Sequence, residues 1–410
     1  MNYKLMKHGA LAAVLCLVAA SCVDFDDSTG AVDVAVQLQM PEEFTHGSDL
    51  EGHTISMGRE GSLVTATTDG LGLARFRGLT PNLYDISVVW RLSAAQYREL
   101  SGDDAQVSGA TVAGSLTSQL VESSKTLMLP TRLSVDRDIV IGKVFYAASK
   151  DNNNRNYMAG KYLELYNQSN DTVDAAGLYI GLVEAESTQA YTLQNLHDDY
   201  ADSLVLLKQV FRIPADKPFR VAPGGTVLLV NSATDHTTNN DQDNDLTHAD
   251  FEAKDKQGRY ANNPLVPALQ LVFTINETIS YMNLVQGGPC AVVIFRTDDD
   301  VTQWPVTYAH GKTSGSQWKL LPARLVIDGV DIVRQRNTGP EESAKRLYPA
   351  IDAGYTNIQA VSGWSGEVVY RRTSAQTGAS GQRLLVDTNN SKNDFQVSKT
   401  IKPREYDVAK

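Results

Sequence analysis

The chain has 410 residues, with 48 acidic against 37 basic side chains, a formal charge of −11 and 42% hydrophobic residues. That length favours two or three domains with real cores, and the ordinary apolar fraction argues against wholesale disorder. An acidic surface without a stripe of Lys and Arg interleaved with aromatics does not suit phosphate backbones, so no nucleic-acid partner is expected.

The amino terminus carries an address. Lys4 and Lys7 precede an apolar run over residues 10–20, about half the length a bilayer-spanning helix requires, which predicts the core of a signal peptide. The run ends in Val18-Ala19-Ala20-Ser21-Cys22, small residues directly before a cysteine, and resembles the lipobox cleaved by the lipoprotein signal peptidase. On that resemblance residues 1–21 are removed and Cys22 becomes an acylated first residue, held to a membrane at about 0.8 kcal/mol per buried CH₂. An ordinary secretory signal with an incidental cysteine is the alternative. Residues 22–30, with Asp24, Asp26 and Asp27, form an acidic tether. It resembles the signal that sends many Bacteroidetes lipoproteins to the outer face of the outer membrane; a solvated linker is the plainer reading.

Residues 31–40 place Val32, Val34, Val36, Leu38 and Met40 on one side of a half-buried strand, and Tyr84-Asp85-Ile86-Ser87-Val88-Val89-Trp90 repeats the alternation. Between them Asp69-Gly70 and Thr80-Pro81-Asn82 supply turns. This spacing resembles the carboxypeptidase regulatory-like, or transthyretin-like, sandwich over residues 31–133, with a short helical insertion at 93–100. A domain of that kind implies a spacer and brings no catalytic residue.

A second module runs over residues 138–410. It opens with the apolar segment 139–146, then a polar loop at 151–156 and a strand at 161–167. An Asn/Ser/Asp turn and a new strand after Gly177 predict a hairpin-like pair using Leu163, Leu165, Val173 and Leu178. The connections from about 183 to 212 and from 235 to 267 read as long loops, where binding functions usually sit. The opening strand, Pro223-Gly224-Gly225 with the apolar segment after it, and the closing segments at 363–372 and 387–395 resemble a lamin-tail, immunoglobulin-like sandwich. The expected fold is therefore all-β, two sandwiches in series. With His248-Ala249-Asp250-Phe251-Glu252 and Leu347-Tyr348-Pro349-Ala350, the whole is similar to an uncharacterised Bacteroidetes surface-lipoprotein family, which implies location and fold but no activity.

With Cys16 in the leader and Cys22 acylated, Cys290 is the last of the three cysteines and no disulfide is expected in the mature chain. A small core hydrophobe is its commoner role, a reactive thiol the sharper one. Gly311-Lys312-Thr313 lacks the first glycine of a P-loop, and Gly363-Trp364-Ser365-Gly366 is one residue short of a nucleophile elbow. The histidines beyond the leader are scattered, without zinc-helix spacing.

One polar stretch fits a ligand pattern. Asp241, Asp243 and Asp245 alternate as calcium ligands do, and Glu252 stands at the twelfth position of an EF-hand-like loop. Leu246, however, occupies the sixth, where glycine makes the turn. A solvated Asp/Asn loop is the alternative. Tyr157, Tyr162, Tyr166, Tyr179, Tyr191, Trp304, Tyr308, Trp318 and Trp364 could line a carbohydrate or peptide groove, although most are expected in cores.

The expectation is a non-catalytic, lipid-anchored binding protein at the outer membrane facing the cell exterior, accessory to an outer-membrane transporter or binding an extracellular polymer. A purely structural or adhesive envelope protein is the first alternative. A hydrolase with a nonlocal Asp/Glu pair is the second, since catalytic carboxylates are recognised by separation in space.

Overall fold

The computed structural model describes residues 30–59, 62–102, 109–184 and 189–406. The expected signal peptide, the expected acylation site Cys22 and all of the expected tether except Gly30 lie outside these residues. The described chain is nearly all β, as expected.

In the strand Val32–Gln39 the residues Val32, Val34, Val36 and Leu38 are buried and alternate with more open positions. It pairs antiparallel with Leu73–Leu79 and parallel with Lys125–Pro130. A five-stranded sheet, in the order Ser62–Thr67, Thr54–Arg59, Asn82–Ser93, Gly109–Val121, Arg132–Asp136, packs against it. Val34, Val36 and Phe76 share one core with Ile55, Ile86 and Val88 of the larger sheet. Period-2 burial of this kind is what a sheet with one wet face requires. The helix Ala94–Ser101 begins at Ser93, whose side chain and Gln96 form a reciprocal capping box, and ends at Gly102, whose φ of 69° suits a left-handed cap.

No sheet mixes strands from before residue 137 with strands after 138 among the described residues. Beyond that point a six-stranded sheet runs Phe251–Glu252, Thr226–Val230, Tyr162–Asn167, Ile139–Phe145, Val368–Arg371, Phe395–Ser398. The sheet facing it runs Val306–Thr307, Trp318–Pro322, Leu204–Arg212, Tyr179–Val183, Val292–Phe295, Val326–Val330, with Gln270–Thr274 also pairing Leu204–Arg212. Ile141, Leu163 and Leu165 meet Ile180, Leu182 and Ile294 between the sheets. The opposite face of the second sheet buries Val205, Leu207, Val293 and Phe295 against Trp318 and Leu347.

Two expectations are corrected. Tyr162–Asn167 and Tyr179–Val183 are not a hairpin: each belongs to a different sheet, and the turn between them crosses the sandwich so that Leu163 and Leu178 enter one core from opposite sides. The segment 183–212 is not a long loop. It holds the helix Leu193–Tyr200 and the nine-residue strand Leu204–Arg212, which is covered on both faces and so carries no alternation.

Candidate functional site

At one end of the six-stranded sheet, the turn around Trp364 meets the polar loop 235–245 and the chain after Phe395–Ser398. Gly363 and Gly366 sit at φ 74° and 70°, and Trp364 between them at 59°. A Cβ on Gly363 would lie 2.0 Å from the Gln286 carbonyl oxygen, so only glycine fits there. The Trp364 amide donates to the Ala147 carbonyl at 2.7 Å and the Gly366 amide to Ala148 at 2.9 Å. A left-handed tryptophan costs on the order of 1–3 kcal/mol and persists because such contacts over-determine it. Trp364, partly exposed, then forms one wall of a cleft of about 230 Å³ that Ser149, Asn240, Asp243, Asn244 and Lys399 also line.

The polar loop is ordered by its neighbours. Asn152 donates its amide to the Asn239 carbonyl at 2.7 Å, and Asn240 Nδ2 donates to the Lys150 carbonyl at 2.7 Å. His236 Nε2–H donates to the Ser232 carbonyl at 2.9 Å, leaving Nδ1 to meet the Tyr157 hydroxyl at 2.6 Å. Ser149 Oγ donates to Asp243 Oδ2 at 2.6 Å. Burial pushes the Asp243 carboxyl above the usual carboxylate range, opposed by that hydroxyl and by His236 and Lys402. Lys402 Nζ donates to the carbonyls of Gln242 and Asp243 at 3.2 and 3.1 Å. Asn244 Oδ1 is buried with no hydrogen-bond partner.

The EF-hand-like set is not brought together. Asp241 is exposed. Asp243 is held by Ser149, and Asp245 accepts from the Thr247 amide and hydroxyl at 2.9 and 2.7 Å. Glu252 is fully buried and accepts from the amides of Ala233 and Asn263 and from Lys254. No group of three or more His, Cys, Asp or Glu that could hold a metal ion occurs among the described residues. The physical reason is the loop's path: without glycine at the sixth position Leu246 turns into the core, Asp241 faces solvent, Asp243 is taken up by a serine hydroxyl, and Asp245 and Glu252 are spent on backbone amides.

Of the aromatics, Tyr162, Tyr166, Tyr179, Tyr191 and Trp318 are buried, whereas Trp364 and the half-buried Tyr157 flank the polar loop. Cys290 is a buried thiol in the inter-sheet core, and burial raises its pKa. Ser365 Oγ accepts from the Glu367 amide at 3.4 Å. Distant acids do converge elsewhere: Arg371, fully buried, pairs with Asp328 at 2.8 Å, Asp387 at 3.1 Å and Asp394 at 3.3 Å. Asp328 and Asp394 are buried around that guanidinium, Asp387 borders a surface cavity, and Arg137 also reaches Asp328 and Asp387 at 3.9 and 3.7 Å. Lys399 and Lys402, both beside the cleft, were not singled out by sequence reasoning. Spacing gave no signal for them, because they arrive from the far end of the chain.

Residues 222–402 match the model of a family described as a protein of unknown function, DUF4876. A crystal structure of a DUF4876 family protein from Bacteroides thetaiotaomicron superposes with a TM-score of 0.55 at 20% identity, covering 89% of this chain and 94% of that one. A comparison with curated proteins gives no match. No helix among the described residues is long and apolar enough to cross a membrane. The chain thus carries a segment similar to the DUF4876 family and shares the fold of one of its members.

Proposed function

We propose that the protein is a non-catalytic binding module, anchored through acylated Cys22 at the outer membrane and facing the cell exterior, that holds a carbohydrate end in the cleft beside Trp364. The observation that carries the reading is the strained tryptophan on the wall of a cleft that joins apolar side chains, Phe145, Val368 and Ile401, to amides, hydroxyls, the Asp243 carboxylate and two lysines. A pyranose has one apolar C–H face and a rim of hydroxyls. The indole offers a flat apolar partner for the first, and Asn240, Asp243 and Lys399 offer acceptors and donors for the second. The cleft volume of about 230 Å³ suits one ring rather than a long segment. An outer-membrane transporter to which such a ligand is passed, or an extracellular polymer that is simply held, would be the partner. The lipobox-like Val18-Ala19-Ala20-Ser21-Cys22 and the acidic residues after it support the anchor.

Titrating the protein with a panel of mono- and oligosaccharides, followed by tryptophan fluorescence and calorimetry, tests the ligand class. A saturable signal lost in Trp364→Gly is expected, and a flat response across the panel contradicts it. For the anchor, palmitate labelling is expected in the wild type and absent in Cys22→Ala; equal labelling of both refutes acylation at that residue.

A further inference from the structure

A second cavity, of about 680 Å³, opens at the other sheet. Arg212 ends the strand Leu204–Arg212, Arg296 follows Val292–Phe295, and Arg324 sits in the short turn Ala323–Leu325; all three line this cavity. Strand register brings the first two together, because Tyr179 pairs with Arg212 on one side and with Phe295 on the other. Three guanidinium groups around one space are unexpected in a chain of net charge −11. Like charges gathered around one space repel unless counter-charges or a bound anion offset them.

Carboxylates stand near the arginines, but none closes a salt bridge with them among the described residues. No ion pair involves Arg212, Arg296 or Arg324 among the described residues, although Asp298 and Asp299 line the same cavity. Arg212 is half-buried, and its Nε has no hydrogen-bond partner. Its guanidinium lies 5.1 Å from the Tyr179 ring centroid, and that ring stacks on Phe295 at 5.0 Å. The aromatic stack holds the planar group in place, which lowers the entropy lost when it binds. Arg296 spends Nη1 and Nη2 on the Ala176 and Asp174 carbonyls. Burial holds it below the usual guanidinium range although the charges of Asp174 and Asp138 pull it back, so an anion in the cavity would add to a compensation that is only partial. Gly177, at φ 76°, lines the cavity, and a Cβ there would be in ordinary contact with Arg212 Nη2 at 3.5 Å.

We propose that this cavity is an anion site for a small organic oxyanion, a carboxylate or a sulfate or phosphate monoester, gripped by Arg212 and Arg324 and oriented over Arg296. Two oxygens on one carbon, sulfur or phosphorus match the guanidinium fork, and hydrogen bonds between two charged groups are about twice as strong as neutral ones. The site is separate from the Trp364 cleft, and its ligand does not depend on the carbohydrate reading.

The test uses the full-length protein. Sulfate, inorganic phosphate, phosphoserine and glucuronate are titrated against chloride at matched ionic strength, with thermal melting and calorimetry as readouts. At least one probe should raise the melting temperature saturably. Arg212→Gln and, independently, the exposed Arg324→Gln should each weaken that probe roughly tenfold or more, a loss of about 1.4 kcal/mol. Arg212→Lys should fall between, because it keeps charge but loses the fork. Binding of inorganic phosphate with no binding of phosphoserine would restrict the ligand to a free anion and overturn the organic part of the proposal. A shift that is linear in salt, or equal in wild type and Arg324→Gln, would overturn the site altogether. Arg324 makes no bond the fold depends on among the described residues, so its variant keeps the test decisive even if Arg212→Gln misfolds.

Discussion

The two parts of the molecule handle polar residues in opposite ways. In the sheets before residue 137, charges lie on wet faces: Arg75 and Asp69 pair at 2.9 Å in the open, and Val89 is 67% exposed one residue from Val88 at 3%. In the sheets after 138 the strands Ile139–Phe145 and Tyr162–Asn167 are buried at every position, charged ones included. Lys143 faces Glu164 across the ladder at 2.7 Å with both side chains at 0% exposure, and the Tyr406 ring covers Lys143 Nζ at 3.8 Å. Burial lowers the Lys143 pKa, and Glu164 pulls it back. The lesson is that the second sandwich has no free outer sheet face here, because the chain after residue 398 lies across it. Arg404 donates its amide to Glu164 at 2.5 Å and its guanidinium to Asp250 at 2.9 Å.

The contrast can be broken most forcefully at Arg371. Arg371→Met leaves buried Asp394 without its guanidinium and Asp328 and Asp387 with only Arg137, at 3.9 and 3.7 Å, and should cost about 3–5 kcal/mol or prevent folding, read by urea unfolding. Glu164→Leu leaves Lys143 buried and unpaired and should cost a comparable ~3–5 kcal/mol, whereas the double variant Lys143→Met with Glu164→Leu should recover most of it. If the double variant is as unstable as the single one, the pair is not what the tail seals.

Asp331 sharpens the comparison through pH. It is fully buried, and burial pushes its carboxyl up to about 7, while its Oδ2 accepts from the Arg346 and Leu347 amides and Oδ1 has no partner. A folded pKa above the unfolded one means the folded state binds more protons between about pH 4 and 7, so this group makes stability fall as pH rises through that window. Asp331→Asn should keep the amide bonds, remove that fall, and raise stability near neutral pH by on the order of a few kcal/mol. An unchanged pH profile would contradict the assignment. A smaller effect is expected at Trp364: glycine accepts its φ of 59° without strain, so Trp364→Gly should leave stability unchanged or raise it by about 1 kcal/mol while removing the cleft wall. Smallest is the alternation test, where Val88→Ala should cost about 1–3 kcal/mol and Val89→Thr stay within about 0.5 kcal/mol.

How much was legible follows the same divide. Val32, Val34, Val36 and Leu38 alternate because one face is wet, and a sequence displays that directly. Leu204–Arg212 is buried on both faces, so its run of apolar residues shows no period and passed for a loop. Of the cleft, Trp364 was visible as an aromatic and its glycine neighbours as a turn, but the left-handed backbone that fixes it depends on Ala147, Ala148 and Gln286 far away. The alternating aspartates were visible as a pattern, yet their separate fates, Asp241 in solvent, Asp243 on the distant Ser149 hydroxyl and Asp245 on the Thr247 amide, depend on the folded loop. Arg212, Arg296 and Arg324 stand in separate elements with nothing local to join them.

A crystal soaked or grown with the tightest-binding saccharide of the panel decides whether the cleft beside Trp364 holds a sugar ring: a pyranose stacked on the indole with its hydroxyls on Asn240, Asp243 or Lys399 is expected. A saccharide bound elsewhere with that cleft unchanged would contradict it.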